Sequence, residues 1–203
     1  MKSFLRLLPF AVVLVFSTSR LEAQEITDWQ NRTILHEQAD VAQNWFLAGW
    51  VIGNAQVYGT DNINLFGGIG YRSDNKKWWL ESMVQRQWSA KGEKILLDNR
   101  FQYQSGRTSL YVEAAPFLDR RAMYDMVIVE EGVWRKVNIG AETENVHKGG
   151  LDSLGAGPRV SLPLGILGKF KVATAAAYQF RRSEQNAFRV YVVFSHRHEH
   201  GGR

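Results

Sequence analysis

Hydrophobic and polar residues alternate along most of this chain, and the alternation is clearest over residues 94–119. In the first half of that stretch one parity is apolar, with Ile95, Leu97, Phe101 and Tyr103, and the other is polar, with Asp98, Arg100, Gln102 and Gln104. A period of two residues indicates β-strands with one apolar and one polar face. The Gly-containing link at 105–107 separates two such strands and predicts a β-hairpin.

The same pattern recurs between short links that contain Gly, Ser, Asn or Asp, which are typical turn residues. It predicts ten strands, at 41–53, 62–72, 76–89, 94–105, 108–118, 121–131, 133–145, 153–164, 168–182 and 186–197. The count becomes eight if two neighbours merge and twelve if residues 26–37 contribute. We therefore expect an all-β, antiparallel up-and-down barrel of eight to twelve strands, with ten favoured because an even count suits a bacterial barrel.

Periodicity alone does not decide whether the apolar faces point into the barrel or outward to lipid. The predicted strands have about 11–14 residues, whereas strands of soluble sheets usually have ~5–6. Aromatic residues near strand ends are typical of interfacial girdles. The predicted girdle consists of Trp45, Trp50, Trp78, Trp88, Trp134, Tyr178 and Phe194. Both features favour a transmembrane barrel with a polar lumen.

Charged residues on the polar faces would then line that lumen. The predicted lumen residues are Glu81, Asp98, Arg100, Glu113, Asp125, Lys136, Glu142, Arg159, Lys171, Arg181 and Arg189. Charges confined in so narrow a space must be paired or hydrated. The lumen is therefore expected either to be filled by ion pairs or to leave a narrow path for ions or small solutes.

Residues 1–23 have the organisation of a secretory signal peptide, with basic Lys2 and Arg6, an apolar run over 7–16, and Ala23 at the expected cleavage point. Residues 24–40 alternate poorly and are expected to form a lead-in or an irregular first strand. The barrel is then assigned to 41–197 and a tail to 198–203. Cysteine is absent, which excludes disulfides, and a net charge of +5 is too small to indicate nucleic-acid binding.

The last predicted strand, with Val190, Val192 and Phe194 at alternate positions, resembles the closing strand of bacterial outer-membrane β-barrels. The signal peptide and the repeated amphipathic hairpins resemble the same superfamily, without indicating one family. The resemblance implies a Gram-negative outer-membrane location, with the lipid bilayer and the barrel-assembly machinery as partners. It differs in one respect, because SHRHEHGGR follows Phe194.

Two weaker patterns carry possible chemistry. His196, His198 and His200 alternate and would share one face of an extended chain, where they could bind Zn, Ni or Cu, although a solvated tail is the favoured interpretation. His147 and Ser153, with Glu142 or Glu144, could belong to a lipid hydrolase. Nothing in the sequence fixes their geometry.

The favoured hypothesis is a non-enzymatic outer-membrane barrel, either structural in the envelope or porin-like for small solutes, without a cofactor or dedicated protein partner. The alternative is a soluble, periplasmic, lipocalin-like barrel that binds an apolar ligand. That alternative requires inward-pointing Trp78, Leu80, Phe101 and Phe180. A lipid hydrolase is the third hypothesis.

Overall fold

The computed structural model describes residues 27–57, 60–134, 136–149 and 152–199, so the predicted signal peptide lies outside the described residues. These residues form eleven β-strands: β1 (Asp28–Ala42), β2 (Trp45–Gln56), β3 (Asn62–Arg72), β4 (Trp78–Ser89), β5 (Gly92–Ser105), β6 (Thr108–Pro116), β7 (Met123–Trp134), β8 (Val137–His147), β9 (Ser153–Leu167), β10 (Phe170–Arg181) and β11 (Ala187–His198). They contain no helix long and apolar enough to cross a bilayer.

The strands close into a single barrel in which each strand pairs with its neighbours in sequence. Consecutive strands are antiparallel, whereas β1 and β11 are parallel. Strands that alternate in direction put the first and the eleventh in the same direction, so an odd count requires this parallel seam. The predicted barrel fold is confirmed, but the strictly antiparallel topology is wrong at the seam.

The additional strand is β1, which covers most of the predicted lead-in. The turn after β1 contains Asn44 with a φ of 68°, so the strand predicted at 41–53 in fact spans a turn. Alternation is weak in β1 because polar residues occupy both faces. Gln30 and Gln38 are buried on one face, while Asn31 and Thr33 are exposed on the other.

The two ends of the barrel differ in their links. At one end, the short-turn end, the links are 43–44, 73–77, 106–107, 135–136 and 168–169. At the other end, the long-link end, they are 57–61, 90–91, 117–122, 148–152 and 182–186. β1 begins at the long-link end and β11 ends at the short-turn end.

The apolar face of most strands points outward and the polar face points inward. Outward Leu80 and Val84 are 43% and 54% exposed, whereas inward Arg100 and Glu142 are 2% and 0% exposed. This distribution is the reverse of that in soluble proteins, where apolar side chains fill the interior and charged side chains lie outside. Charged side chains are almost never fully buried unless they are paired.

One side of the interior is apolar and lies under β2, β3 and β4. Its buried residues are Phe46, Ala48, Trp50, Phe66 and Met83. A Cβ on Gly70 would lie 2.2 Å from Cζ of Phe46, so the missing side chain provides the space for this ring. Gly70 of β3 therefore serves close packing, as expected for glycine within a strand.

Candidate functional site: the barrel interior

Eight of the eleven predicted lumen residues face the interior. They are Glu81, Asp98, Arg100, Glu113, Glu142, Arg159, Arg181 and Arg189, and their side chains are buried or nearly so. They come from β4, β5, β6, β8, β9, β10 and β11, so the barrel brings together charges that are far apart in sequence. Strand parity predicted this face correctly for these eight residues.

The other three predicted lumen residues lie elsewhere. Asp125 has the parity opposite to buried Met126, and its carboxylate binds Asn145 and His147 on the outer side. The prediction for Asp125 is wrong because, in this part of β7, the apolar Met126 faces inward and the charged Asp125 faces outward. Lys136 lies in the link between β7 and β8, and Lys171 is exposed near the start of β10.

Glu142 is a buried acidic group with four partners in the interior. Its Oε1 accepts hydrogen bonds from Gln179 Nε2 and from the Tyr191 hydroxyl, both at 2.8 Å. Its Oε2 accepts one from Arg159 Nη1 at 2.7 Å. Arg189 Nη1 lies 3.4 Å from Oε1. The lost hydration of this carboxylate is thus replaced by donors from three other strands, as burial of a charge requires.

Glu144 lies two residues further along β8 and is surrounded by arginines. Arg32 Nη2 donates to its Oε1 at 2.6 Å, and Arg181 Nη2 lies 3.3 Å from its Oε2. Arg189 also pairs with Oε2, and the Tyr124 hydroxyl donates to Oε1 at 2.9 Å. Because Arg189 contacts both carboxylates, Glu142 and Glu144 belong to one network, which we call the Glu142–Glu144 cluster.

A second network surrounds Arg100 on the opposite part of the wall. Its Nε donates to Asp98 Oδ1 at 2.7 Å, and its Nη2 lies 3.6 Å from Glu113 Oε1. The guanidinium carbon lies 4.2 Å from the ring centroid of Trp50 and 4.4 Å from that of Phe66. Stacking on two aromatic faces gives this buried cation cation–π stabilisation in addition to its ion pairs.

Glu81 forms a third network nearer the short-turn end. It accepts hydrogen bonds from Gln38 Nε2 at 2.9 Å and from Trp50 Nε1 at 2.8 Å, and it lies 3.2 Å from His36 Nε2. The His36 and Trp50 rings are stacked at a centroid distance of 3.7 Å. Trp50 therefore belongs to the interior, and its prediction as a girdle residue is wrong, because its even parity in β2 is the inward one.

The other predicted girdle residues lie on the outer face. Trp45, Trp88 and Trp134 are exposed. Trp78 is partly covered by the neighbouring outer rings of Tyr71 and Phe101. Tyr178 is partly covered by Phe180, and Phe194 by Phe170.

Several interior residues were not among the predicted lumen residues. Arg32 and His36 lie in β1, where the poor alternation predicts only a lead-in or an irregular first strand. Glu144 and Tyr191 lie at the inward parity of their strands, so extending the alternation from Glu142 and Arg189 would have found them. Their partners could not have been found in this way, because hydrogen bonds such as Arg32 to Glu144 join residues 112 positions apart.

A cavity of about 670 Å³ occupies the remaining interior. Its lining includes Gln56 and Ser153 at the long-link end and reaches Ser109 and Ala173 toward the short-turn end. Eight basic and four acidic side chains line it: Arg32, Lys94, Arg100, Arg120, Lys148, Arg159, Arg181 and Arg189, with Glu113, Glu130, Glu144 and Glu184. Apolar side chains also line the wall, and among its charged side chains the basic ones outnumber the acidic ones.

The residues considered for a hydrolase are not assembled into a nucleophilic site. Ser153 is buried and lines the cavity, whereas both ring nitrogens of His147 lie against carboxylates. Nε2 lies 2.6 Å from Asp125, and Nδ1 lies 3.6 Å from Asp152. A serine facing inward cannot donate its proton to an imidazole bonded on the outer side.

The C-terminal histidines have a different environment from the predicted tail. His198 is the last residue of β11, and both His196 and His198 contact Glu37 of β1. His200 lies outside the described residues.

No family model matches this chain, and neither a curated protein nor a solved structure matches it. Its function must therefore be inferred from the barrel's own geometry and charge distribution.

Proposed function

We propose that this protein is an integral β-barrel of the bacterial outer membrane. The observation that supports the proposal is the inverted polarity, with isoleucine, leucine and valine exposed outside and buried ion pairs inside. In water the exposed apolar ribbons would cost about 25 cal/mol per Å², whereas in lipid they are solvated. A soluble barrel for an apolar ligand needs the opposite arrangement, yet Leu80 and Phe180 are 43% and 49% exposed.

Within this barrel we propose a narrow passage for small hydrophilic solutes, with a preference for anions. The cavity gives the path, and the eight basic side chains against four acidic ones of its wall give the selectivity. Fixed positive charge along a confined, poorly screened path raises the local concentration of anions. Most of the central arginines are already paired, so the preference is expected to be moderate.

A second candidate function is a closed barrel that stabilises the envelope. It is favoured by the apolar cluster of Phe46, Trp50, Phe66 and Met83 and by the adjoining Glu81 network, which fill one side of the interior toward the short-turn end. In that case the cavity is a blind pocket that opens at the long-link end.

Solubility tests the membrane proposal before function is considered. The protein without residues 1–23 should refold to a heat-modifiable monomer in detergent or lipid vesicles and should aggregate in plain buffer. A stable monomer in plain buffer with no bound detergent would contradict the membrane proposal.

Planar-bilayer conductance then distinguishes the two candidate functions. The passage predicts single-channel steps and a reversal potential that shows anion preference in a salt gradient. Reversing charge at the mouth, with Arg120→Glu and Lys148→Glu together, should shift the reversal potential toward cations, because both side chains line the cavity near the long-link end. The matched control is Arg86→Glu, whose side chain is exposed on the outer face. Absence of steps from protein that is inserted and folded would favour the closed barrel.

A further inference from the structure

The parallel seam brings three potential metal ligands together on the outside of the barrel. Glu37 of β1 is directly paired with His196 of β11, and His198 follows two residues later on the same face. The Nδ1 atom of His196 and the Nε2 atom of His198 lie 2.9 and 3.1 Å from Glu37 Oε2, and 3.1 Å from each other. The three atoms form a nearly equilateral triangle.

A triangle of this size matches one face of a metal coordination shell. With metal–ligand distances of ~2.0–2.1 Å, which Zn²⁺ has with histidine nitrogen and carboxylate oxygen, an ion would sit about 1 Å above the plane of the three atoms. Two imidazoles and one carboxylate suit borderline ions such as Zn²⁺, Ni²⁺ or Cu²⁺, whereas Ca²⁺ and Mg²⁺ prefer oxygen ligands.

The surroundings of the three side chains are compatible with binding from solution. His198 is 55% exposed and Glu37 is 31% exposed. Lys169 Nζ lies 3.4 Å from the other carboxylate oxygen, Oε1, so it holds Oε2 toward the histidines. The Phe170 ring packs edge-on against His196 at a centroid distance of 5.8 Å and limits the imidazole's rotation.

We propose that Glu37, His196 and His198 bind one divalent transition-metal ion of the Zn²⁺ type and thereby clip the first strand to the last. The inference rests on the geometry of the seam and not on the passage proposed for the interior. Because the ligands come from both strands of the closing pair and the unfolded chain lacks the preformed site, binding should stabilise the closed barrel.

The test uses refolded full barrel in detergent after treatment with a chelator. Zn²⁺ competition with a chromophoric indicator should show one equivalent bound, and Co²⁺ should give visible ligand-field absorption. Zn²⁺, but not Mg²⁺, should raise the temperature at which the barrel unfolds. Loss of partners that only orient metal ligands weakens binding by ~10–100-fold. We therefore expect Glu37→Gln and His196→Asn each to weaken binding by at least that factor and to remove the thermal shift.

Two control variants separate the seam site from general histidine binding. His147→Asn changes a half-buried histidine elsewhere on the outer side and should leave affinity and thermal shift unchanged, as should His200→Asn. Zn²⁺ affinity that is unchanged in Glu37→Gln, or that is lost in His200→Asn alone, would overturn the proposal in favour of binding by the C-terminal histidines only. Glu37→Asp retains the carboxylate and should restore part of the affinity if Glu37→Gln acts through ligand loss.

Discussion

At the scale of single residues, charged groups of the interior make hydrogen bonds and ion pairs with one another in place of their contacts with water. Glu142 is fully buried and has four partners on β9, β10 and β11. Buried ion pairs of this kind add little net stability compared with well-packed apolar residues. Removing one charged group, however, leaves its partners buried and uncompensated. The cluster therefore makes the interior intolerant of single charge changes.

Glu142→Gln should destabilise the barrel by about 3–5 kcal/mol, because it leaves Arg159 and Arg189 with less negative charge and places an amide donor against the donors of its neighbours. Urea unfolding of the protein in lipid vesicles, followed by tryptophan fluorescence, measures the change. The matched control is Glu93→Gln, whose carboxylate pairs with Arg86 on the outer surface, and its unfolding midpoint should be unchanged. Equal midpoints for Glu142→Gln and the original protein would show that the cluster does not hold the interior together.

At the scale of elements, neighbouring strands approach each other most closely where small residues face inward. A Cβ on Gly157 of β9 would lie 1.7 Å from the backbone oxygen of Tyr178 on β10. The next residue is Pro158, which has no N–H to donate to the ladder. The close approach of these two strands thus depends on the absence of a side chain at Gly157.

Gly157→Ala should cost about 1–3 kcal/mol, because the backbone of β9 or β10 must shift to admit the methyl group. Gly53→Ala is the matched control, since a Cβ there meets nothing within 4 Å. Thermal unfolding in detergent compares the two variants. A Gly157→Ala protein as stable as Gly53→Ala would mean that the backbones of β9 and β10 are not in close contact at Gly157.

The outward apolar side chains of each strand are proposed to contact lipid. Val84→Lys lies near the middle of β4 and should destabilise the proposed membrane barrel by about 2–4 kcal/mol, because a charge would replace a methyl group in lipid. Ile95→Lys lies near the start of β5, at the long-link end, and should cost much less. Reversible unfolding in lipid vesicles measures both. In a soluble barrel Val84→Lys would be harmless, since the side chain is already 54% exposed.

The elements also show what the sequence could predict. Residues 62–72 were predicted and found as a strand, because alternation and the flanking turn residues agree there. β1 was missed because its polar inward face removes the contrast on which the pattern depends. The parity of Glu142 predicted that it faces inward, but its partners depend on the stagger of β8 to β11, which alternation does not encode.

At the scale of the whole molecule, the odd strand count could not be predicted from the pattern. Counting ten strands by alternation gives a consistent antiparallel barrel, and only the pairing of Asp28–Ala39 with Ala187–His198 shows the parallel seam. The Glu37–His196 contact was not predicted because it also depends on the pairing of β1 with β11.

Accessible labels test the overall orientation. Short turns usually face the periplasm in outer-membrane barrels, so the short-turn end should lie there. Because cysteine is absent, Ser183→Cys at the long-link end and Arg107→Cys at the short-turn end each supply one thiol. A maleimide reagent too large to cross the outer membrane should label Ser183→Cys in intact cells, and Arg107→Cys only after permeabilisation. Labelling of Arg107→Cys alone in intact cells would reverse the orientation.

The parallel seam also limits circular permutation of the chain. A circular permutant has to join the end of β11 to the start of β1, which lie at opposite mouths, so its linker must span roughly 40 Å, the length of a 12-residue strand at ~3.3 Å per residue. A linker of that length with alternating apolar and polar residues could insert between the two strands and pair antiparallel with both. The barrel is therefore one strand short of a fully antiparallel, twelve-stranded design that a single engineered insertion could complete.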